Sequence, residues 1–309
     1  MRGMINGVWH AKIHKERAEQ YAKLSNFPIS LSEGDEIDID RLAHNPSSFH
    51  LYAAPACPFA HRTLLARALL DIDLPVTLIN PWLGGPDGWF FPPDQTAPVA
   101  QATKLWQVYA ASDPSYTGRV TVPALWDKKA NAIVSVESDE ITQSFLKAYA
   151  GKMDRPDIAA SRQDPELASL CDWIKEHIND GVYRIGFAQD QFSYDQAYGD
   201  LERALASLDA RLGDNTYLWN NTFSEADLLL FPTAVRFDVA YHGAFQILGF
   251  RWKDFGNLQR HLETLLDDPL IAATVSAADY RVHYFDDDAF SIRHPGPNGR
   301  YIVPHTCEL

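Results

Sequence analysis

One stretch of the chain, Ser48–Arg62, constrains the fold more than any other. Its first part, Phe49–Ala53, has the composition of a short strand, and Cys57 and Pro58 follow after a turn-like break. From Pro58 onward, apolar residues recur at the spacing of a helix. Proline suits the first helical position, because its missing N–H would have no partner there. The stretch therefore predicts a strand, a tight turn and a helix with Cys57 at its N-terminus.

A thiol at that position is predicted to be reactive. Unpaired N–H groups and the positive end of the helix dipole favour the thiolate, which is the nucleophilic form. A buried core cysteine is the alternative. Ala60 stands where a dithiol redox centre would carry its second cysteine, and Cys171 and Cys307 are far away in the sequence. Cys57 therefore needs an external thiol to resolve a mixed disulfide. This points toward glutathione, although the spacing alone does not name it.

Composition narrows the class of protein. The 309 residues, 46% hydrophobic and 22% charged, suit one or two globular domains. Three cysteines argue against a disulfide framework and favour a reducing compartment, so we expect a cytoplasmic protein. We find no signal peptide and no apolar run of about 18 residues that could span a membrane. A net charge of −14 disfavours nucleic acid as a partner.

The first half of the chain continues with alternating elements. We predict a strand at 76–79, and then a long aromatic loop whose length favours a function. Trp89 in this loop either lines a pocket over Cys57 or plugs its own core. A hairpin (strands at 124–126 and 133–136) and a helix capped by Ser138 follow. This order is the thioredoxin-like layout, in which the residue before the third strand, here Pro123, is a cis-proline.

The second half is predicted to be all-helical. Ser224 and Asp227 form a capping-box-like start for one of its helices. The predicted helices span 165–182, 193–212, 228–237, 255–267 and 269–284. A charged helix at 11–24 and an acidic loop at 30–40 are expected near the N-terminus.

A thioredoxin-like half joined to a helical half, with Cys-Pro at the first helix, resembles the glutathione transferases of the cysteine type. The finer motifs resemble one branch, the glutathionyl-hydroquinone reductases of the xi class. These motifs are Ala56–Thr63, Gly88–Phe91, Asp113–Asp127, Glu137–Ile141, Asn179–Ala188, Arg236–Tyr241 and Val282–Tyr284. One departure concerns the residue after Cys-Pro, which is usually Trp in the family and is Phe59 in this chain. This departure bears on the substrate preference more than on the reaction.

The residue pattern and the resemblance together imply a domain organisation. Residues 1–47 form an N-terminal extension, and 48–150 form the thioredoxin-like glutathione-binding domain. A linker at 151–165 precedes the all-helical acceptor-substrate domain at 166–285. A C-terminal tail covers 286–309.

The resemblance also implies roles for particular residues. Cys57 matches the nucleophile, and Tyr183 matches the tyrosine that exchanges a proton with the substrate oxygen. Tyr241 and Tyr284 match tyrosines that steady the thiolate. The glutathione-binding positions are Trp89, Arg119, Val122, Glu137 and Ser138.

Each of these residues has an ordinary alternative. Arg119 could form a surface ion pair, Ser138 could be a mere cap, and the tyrosines could be core residues.

The implied activity is reduction of glutathionyl-hydroquinones to hydroquinones through a Cys57–glutathione mixed disulfide, which a second glutathione resolves. Glutathione is then the co-substrate, no metal is needed, and a homodimer is expected. One alternative is a general thiol transferase or dehydroascorbate reductase of the omega type. A non-catalytic glutathione-binding protein is the other alternative.

Overall fold

The computed structural model describes residues 2–13, 37–83, 85–95, 97–99, 101–150 and 164–285. The chain divides into two units, Met1–Tyr149 and Ala150–Leu309. The predicted charged helix at 11–24, the acidic loop at 30–40 and the linker lie mostly outside the described residues. The tail from residue 286, with Cys307, lies outside them entirely.

A mixed four-stranded sheet forms the centre of the N-terminal unit. In chain order the elements of this unit are β1 (Gly3–Ile5), β2 (Val8–His10), α1 (Ile39–His44), β3 (Phe49–Ala53), α2 (Pro58–Leu69), β4 (Val76–Leu78), α3 (Leu105–Ser112), β5 (Ala124–Asp127), β6 (Ala132–Ser135) and α4 (Ser138–Ala148). The strand order is β4-β3-β5-β6, with β3 and β4 parallel and the other pairs antiparallel. Because parallel neighbours need a crossover, α2 connects β3 to β4. The thioredoxin-like prediction is confirmed.

Strands β3 and β5 are the two inner strands of this sheet, and all of their residues are buried. Helix α1 is attached to β5 by an ion pair, in which Arg41 Nη1 donates to Asp127 Oδ1 at 2.7 Å. The same guanidinium lies 4.4 Å from the centre of the Phe49 ring. Asp127 also accepts the backbone N–H groups of the hairpin turn between β5 and β6. The predicted hairpin is confirmed, whereas α3 was not predicted.

The C-terminal unit is built from helices in the part of it that the structure describes. They are α5 (Pro165–Ile174), α6 (Asp180–Gly186), α7 (Gln191–Leu212), α8 (Glu225–Arg236), α9 (His242–Ala244), α10 (Gly256–Leu266), α11 (Pro269–Ala272) and α12 (Ala277–Phe285). Wide π turns at Lys175–Asn179 and Phe237–Tyr241 connect α5 to α6 and α8 to α9. The single helix predicted from residue 269 to 284 is wrong, because Ser276 starts a new helix by accepting the N–H of Asp279 at 3.2 Å.

The predicted capping box at the start of α8 is confirmed. The N–H of Ser224 donates to Asp227 Oδ2 at 2.8 Å, and Asp227 Oδ1 accepts the N–H of Leu218 at 3.0 Å. His261 Nε2 of α10 lies 2.7 Å from the same oxygen. Asp227 is fully buried, so these partners together replace the water that its carboxylate loses. No helix in the described part of the chain is long and apolar enough to cross a membrane.

Candidate functional site

Cys57 occupies the N-cap position of α2, as the sequence predicts. Its backbone is extended (φ −78°, ψ 123°), its N–H donates to the carbonyl of Ala54 at 3.0 Å, and Pro58 takes the first helical position. The side chain is half-buried. Its Sγ donates to the carbonyl oxygen of Val122 at 3.8 Å. The thiol is therefore not sealed in the core, and it lies beside the strand-edge residue predicted to pair with glutathione.

The segment before β5 is held in place by the side chains of two tyrosines, one of them on α3. The Val122–Pro123 peptide bond is cis, which confirms the prediction for Pro123. The hydroxyl of Tyr109 donates to the carbonyl of Thr121 at 2.9 Å, and that of Tyr116 donates to the carbonyl of Arg119 at 2.7 Å. Burial raises the pKa of Tyr109 to about 12, so the hydroxyl stays a neutral donor.

This segment contains two of the residues predicted to bind glutathione, Arg119 and Val122. The Arg119 side chain is exposed. Val122 is buried, with its carbonyl turned to the thiol.

The N-terminus of α4 differs in one detail from the prediction. Glu137, not Ser138, is the N-cap residue, since the backbone of Glu137 is still extended (φ −87°, ψ 114°). Ser138 already belongs to the helix, so it is not a mere cap. Its Oγ accepts from Nη1 of Arg62 at 3.4 Å, and the same Nη1 lies 3.3 Å from Asp139 Oδ1. Glu137 is exposed.

Arg62 connects the thiol helix to this helix start, and sequence reasoning gave it no role. Arg62 lies on α2, is 2% exposed, and its guanidinium is 4.9 Å from the ring centre of Phe59. A helix N-terminus with a buried cation beside it favours an anion. The sequence did contain a signal for Arg62. It belongs to the same motif as Cys57, and Phe59, three residues before it, lies on the same face of the helix.

Trp89 lies in the long loop between β4 and α3. It is buried, and its carbonyl accepts the N–H of Leu105 at 2.9 Å at the start of α3. Gly88, just before it, has a positive φ of 68°. The role of Trp89 in glutathione binding stays a prediction.

The three candidate tyrosines of the C-terminal unit form one cluster. The hydroxyl oxygens of Tyr183 and Tyr284 lie 2.8 Å apart. The ring of Tyr241 contacts both edge-on, with centroid distances of 6.0 Å to Tyr183 and 5.4 Å to Tyr284. Phe245 stacks on Tyr241 at 5.2 Å. Tyr241 and Tyr284 are buried, whereas Tyr183 is half-buried, so Tyr183 is the member most open to a ligand.

A buried cation lies close to this cluster. Arg236, at the end of α8, is fully buried and donates to the carbonyl of Pro232 at 2.6 Å. Its guanidinium lies 4.0 Å from the ring centre of Tyr280, one helical turn before Tyr284. Burial raises the pKa of Tyr284 well above its usual value, and the nearby tyrosine hydroxyls raise it further, although Arg236 opposes this. Tyr284 is therefore a neutral hydroxyl at physiological pH.

The N-terminal hairpin of β1 and β2 was also missed. Its signal was the Asn6-Gly7 pair between apolar residues, and both residues adopt positive φ, 48° and 76°.

Among the residues that the structure describes, no cluster of His, Cys, Asp and Glu could hold a metal ion.

Comparison with known protein families follows the two units of the fold. Residues 56–145 match the glutathione S-transferase N-terminal domain, and residues 191–264 match the glutathione S-transferase C-terminal domain. The match to the first begins one residue before Cys57.

Individual relatives and solved structures agree with this match. The chain is 38% identical to the glutathionyl-hydroquinone reductase PcpF of Sphingobium chlorophenolicum, over 97% of this chain and 95% of PcpF. It is 40% identical to the glutathionyl-hydroquinone reductase YqjG of Escherichia coli, over 92% of this chain and 90% of YqjG.

Among solved structures, a Xi-class glutathione transferase from Natrialba magadii superposes with a TM-score of 0.80 at 31% identity, over 99% of this chain and 97% of the other. The glutathione-bound structure of YqjG gives a TM-score of 0.73 at 37% identity, over 82% of this chain and 83% of the other. The similarity therefore covers the thioredoxin-like unit, the helical unit and nearly the full length of both curated relatives. The chain belongs to the Xi-class glutathione transferases, the family of the glutathionyl-hydroquinone reductases.

Proposed function

We propose that this protein reduces glutathionyl-hydroquinones to hydroquinones, with glutathione as co-substrate. The observation that carries the proposal is the half-buried Cys57 at the N-terminus of α2, with its sulfur 3.8 Å from the Val122 carbonyl. Position 60 holds alanine and not a second cysteine, which supports the proposal further, because a mixed disulfide at Cys57 then needs an external thiol to resolve it. The names of PcpF and YqjG supply the substrate class.

The first half-reaction transfers glutathione to the enzyme. The Cys57 thiolate attacks the sulfur of the glutathionyl-hydroquinone, forming a disulfide to glutathione as the bond from that sulfur to the aromatic carbon breaks. The electron pair of the broken bond stays on the aromatic ring, which takes up a proton and leaves as the hydroquinone. Tyr183 exchanges a proton with the substrate oxygen during this step.

The second half-reaction regenerates the thiolate. A second glutathione thiolate attacks the mixed disulfide at the glutathione sulfur, and oxidised glutathione leaves. One glutathione is consumed for each hydroquinone released. A serine or tyrosine hydroxyl at position 57 could stabilise a bound thiolate, but it could not form the disulfide.

We assign the glutathione moiety to the residues around Cys57. Val122 pairs its backbone with the cysteinyl part, as a strand edge does. The N-terminus of α4 at Ser138 holds the γ-glutamyl carboxylate, with Arg62 behind it. The Glu137 side chain accepts the ligand ammonium. Arg119 offers its exposed guanidinium to a carboxylate, and Trp89 lines the same site.

The remaining expectations complete the proposal. Tyr241 and Tyr284 steady the Cys57 thiolate, as the family resemblance implies. The protein is a homodimer that works in the cytoplasm, where the three cysteines of the chain stay reduced.

The test is a comparison of substrates. The wild-type enzyme is assayed with a glutathionylated hydroquinone, with hydroxyethyl disulfide and with dehydroascorbate, each in the presence of glutathione. We expect the highest kcat/KM for the hydroquinone. The Cys57→Ser variant should be inactive on it, whereas the matched variant Cys171→Ala, at a buried cysteine of the other unit, should retain activity. A higher kcat/KM for the disulfide or for dehydroascorbate would assign the protein to the omega-type alternative. Inactivity on all three substrates would favour a binding protein.

A further inference from the structure

The N-terminal hairpin of β1 and β2 has no role in the reaction proposed above. Its strands pair over only three residues each, from Gly3 opposite His10 to Ile5 opposite Val8. A hairpin of this size is marginally stable in water on its own. Contacts outside the hairpin must therefore hold it. These contacts are made with the loop that carries Trp89 and with the segment that carries Arg119 and Val122, which are two parts of the proposed glutathione site.

The first set of contacts joins the hairpin to the segment before Arg119. Met4 and Gly118 exchange backbone hydrogen bonds, with the N–H of Met4 donating at 2.8 Å and that of Gly118 at 2.9 Å. The N–H of Gly7 donates to the carbonyl of Tyr116 at 2.9 Å. A Cβ on Gly7 would lie 1.9 Å from the carbonyl oxygen of Pro114, so only glycine permits this approach.

The second set of contacts joins the hairpin to the loop that carries Trp89. The indole N–H of Trp9 donates to the carbonyl of Pro86 at 2.9 Å. The Trp9 ring covers Gly88 so closely that a Cβ there would lie 2.8 Å from ring carbons. The Trp9 ring is also nearly parallel to the ring of Trp106 in α3, at a centroid distance of 6.4 Å.

We propose that this hairpin is a clasp that holds the Trp89 loop and the Arg119–Val122 segment in the arrangement that binds glutathione, and that Trp9 is its main positioning residue. The inference rests on the proposed function. Trp9 acts through Gly88 and does not touch the substrate. A loop ordered in advance loses less conformational entropy when the ligand binds, so the clasp should act on glutathione affinity.

The experiment measures the Kd of reduced glutathione by calorimetry. The Trp9→Ala variant should raise Kd roughly tenfold, which is ~1.4 kcal/mol. Gly88→Ala places a Cβ against the Trp9 ring and also strains a backbone of positive φ, so it should raise Kd as well. Since both variants disturb the contact of Trp9 with Gly88, the double variant should bind less weakly than the two single effects would give if they added. Val8→Thr is the matched control, because the Val8 side chain lies on the same hairpin and is 58% exposed.

Two further readouts separate positioning from a structural defect. The titration midpoint of the Cys57 thiol, followed by its alkylation rate against pH, should be the same in Trp9→Ala and wild type. Trp9→Phe keeps a ring over Gly88 and should raise Kd by less than Trp9→Ala does. If Trp9→Ala does not fold, a higher Kd in Trp9→Phe than in wild type carries the test.

The outcomes distinguish the clasp from the function on which it rests. A wild-type Kd that neither Trp9 variant changes, or an equal rise in Val8→Thr, would overturn the clasp. A wild-type protein that binds no glutathione at all would instead overturn the proposed function.

Discussion

Tyr183 and Tyr284 share one hydrogen bond, and either hydroxyl can be its donor, since their oxygens lie 2.8 Å apart. Burial keeps the pKa of Tyr284 well above its usual value, so Tyr284 holds its proton at physiological pH. Tyr183 is half-buried and is therefore the member of the pair that a substrate can reach. This asymmetry supports a proton donor at Tyr183 with Tyr284 as its hydrogen-bond partner.

Replacing Tyr183 by Phe tests this assignment. General acid–base catalysis contributes roughly 100-fold or more, so kcat for a glutathionyl-hydroquinone should fall by about that factor. Turnover of hydroxyethyl disulfide should stay near the wild-type rate, because its thiol products need no proton on an aromatic oxygen. Tyr217→Phe, in the same unit but outside the cluster, serves as the control. An equal loss on both substrates would show that Tyr183 supports packing or binding instead.

We expect the stability of the protein to depend on pH through His50. It is buried in β3, with Nε2 2.7 Å from Thr77 Oγ1. Burial, together with the charge of Lys128, lowers the pKa of His50 to about 4. The unfolded chain, with an ordinary histidine pKa near 6.5, binds the proton first. The stabilising contribution is therefore complete above pH 6.5 and is lost as the pH falls toward 4.

The His50→Phe variant should lack this dependence. Between pH 6.5 and 4 the wild-type free energy of unfolding should fall by up to ~1.4 kcal/mol per pH unit more than that of the variant. Urea denaturation at closely spaced pH values gives the two curves. If they fall in parallel through this window, His50 is already protonated in the folded protein.

Wide turns at two helix junctions distinguish the C-terminal unit. One runs over Lys175–Asn179, just before Tyr183, and the other runs over Phe237–Tyr241 and ends on a cluster tyrosine. An extra residue in a turn rotates every side chain that follows it, and such turns occur often at functional sites. Asn179 secures the first one, since its Nδ2 donates to the carbonyl of Leu229 at 3.1 Å and its Oδ1 accepts from Thr233 Oγ1 at 2.6 Å.

Asn179→Ala should therefore destabilise the protein by about 1–3 kcal/mol, because it leaves buried polar groups of α8 unsatisfied. Thermal denaturation of Asn179→Ala, of Thr233→Val and of the double variant gives the coupling free energy between these two residues. The double variant should lose less stability than the sum of the two single losses. Purely additive losses would mean that the 2.6 Å contact does not stabilise the fold.

At the scale of the elements, local sequence patterns decide which parts of the fold can be predicted. Strand β3, α2 and the capping box of α8 were predictable because their residues agree with their own periodicity and caps. Helix α3 was missed because Trp106, Val108 and Tyr109 have strand-like propensities. Burial of Val108 and Tyr109 and packing of the helix on β6 override these propensities. The wide turns could not be predicted, since Asn179 is held by residues about fifty positions away. The hairpin of β1 and β2 could have been predicted from its Asn6-Gly7 pair.

At the scale of the whole molecule, the residues assigned to the reaction come from both units. Cys57, Val122 and Ser138 belong to the N-terminal unit, and the tyrosine cluster belongs to the C-terminal unit. The proposed function is therefore a property of the full chain and has to be measured on it. The net charge of −14 bears on macromolecular partners and does not constrain a small aromatic substrate.

The most direct measurement is a single turnover followed by peptide mass spectrometry. Enzyme is mixed with one equivalent of a glutathionylated hydroquinone, without free glutathione, and is quenched with acid. We predict one hydroquinone released per chain and one glutathione on the peptide that contains Cys57, removed when glutathione is added. Release of hydroquinone with Cys57 unmodified, or an adduct on Cys171 or Cys307 instead, would contradict a mixed disulfide at Cys57.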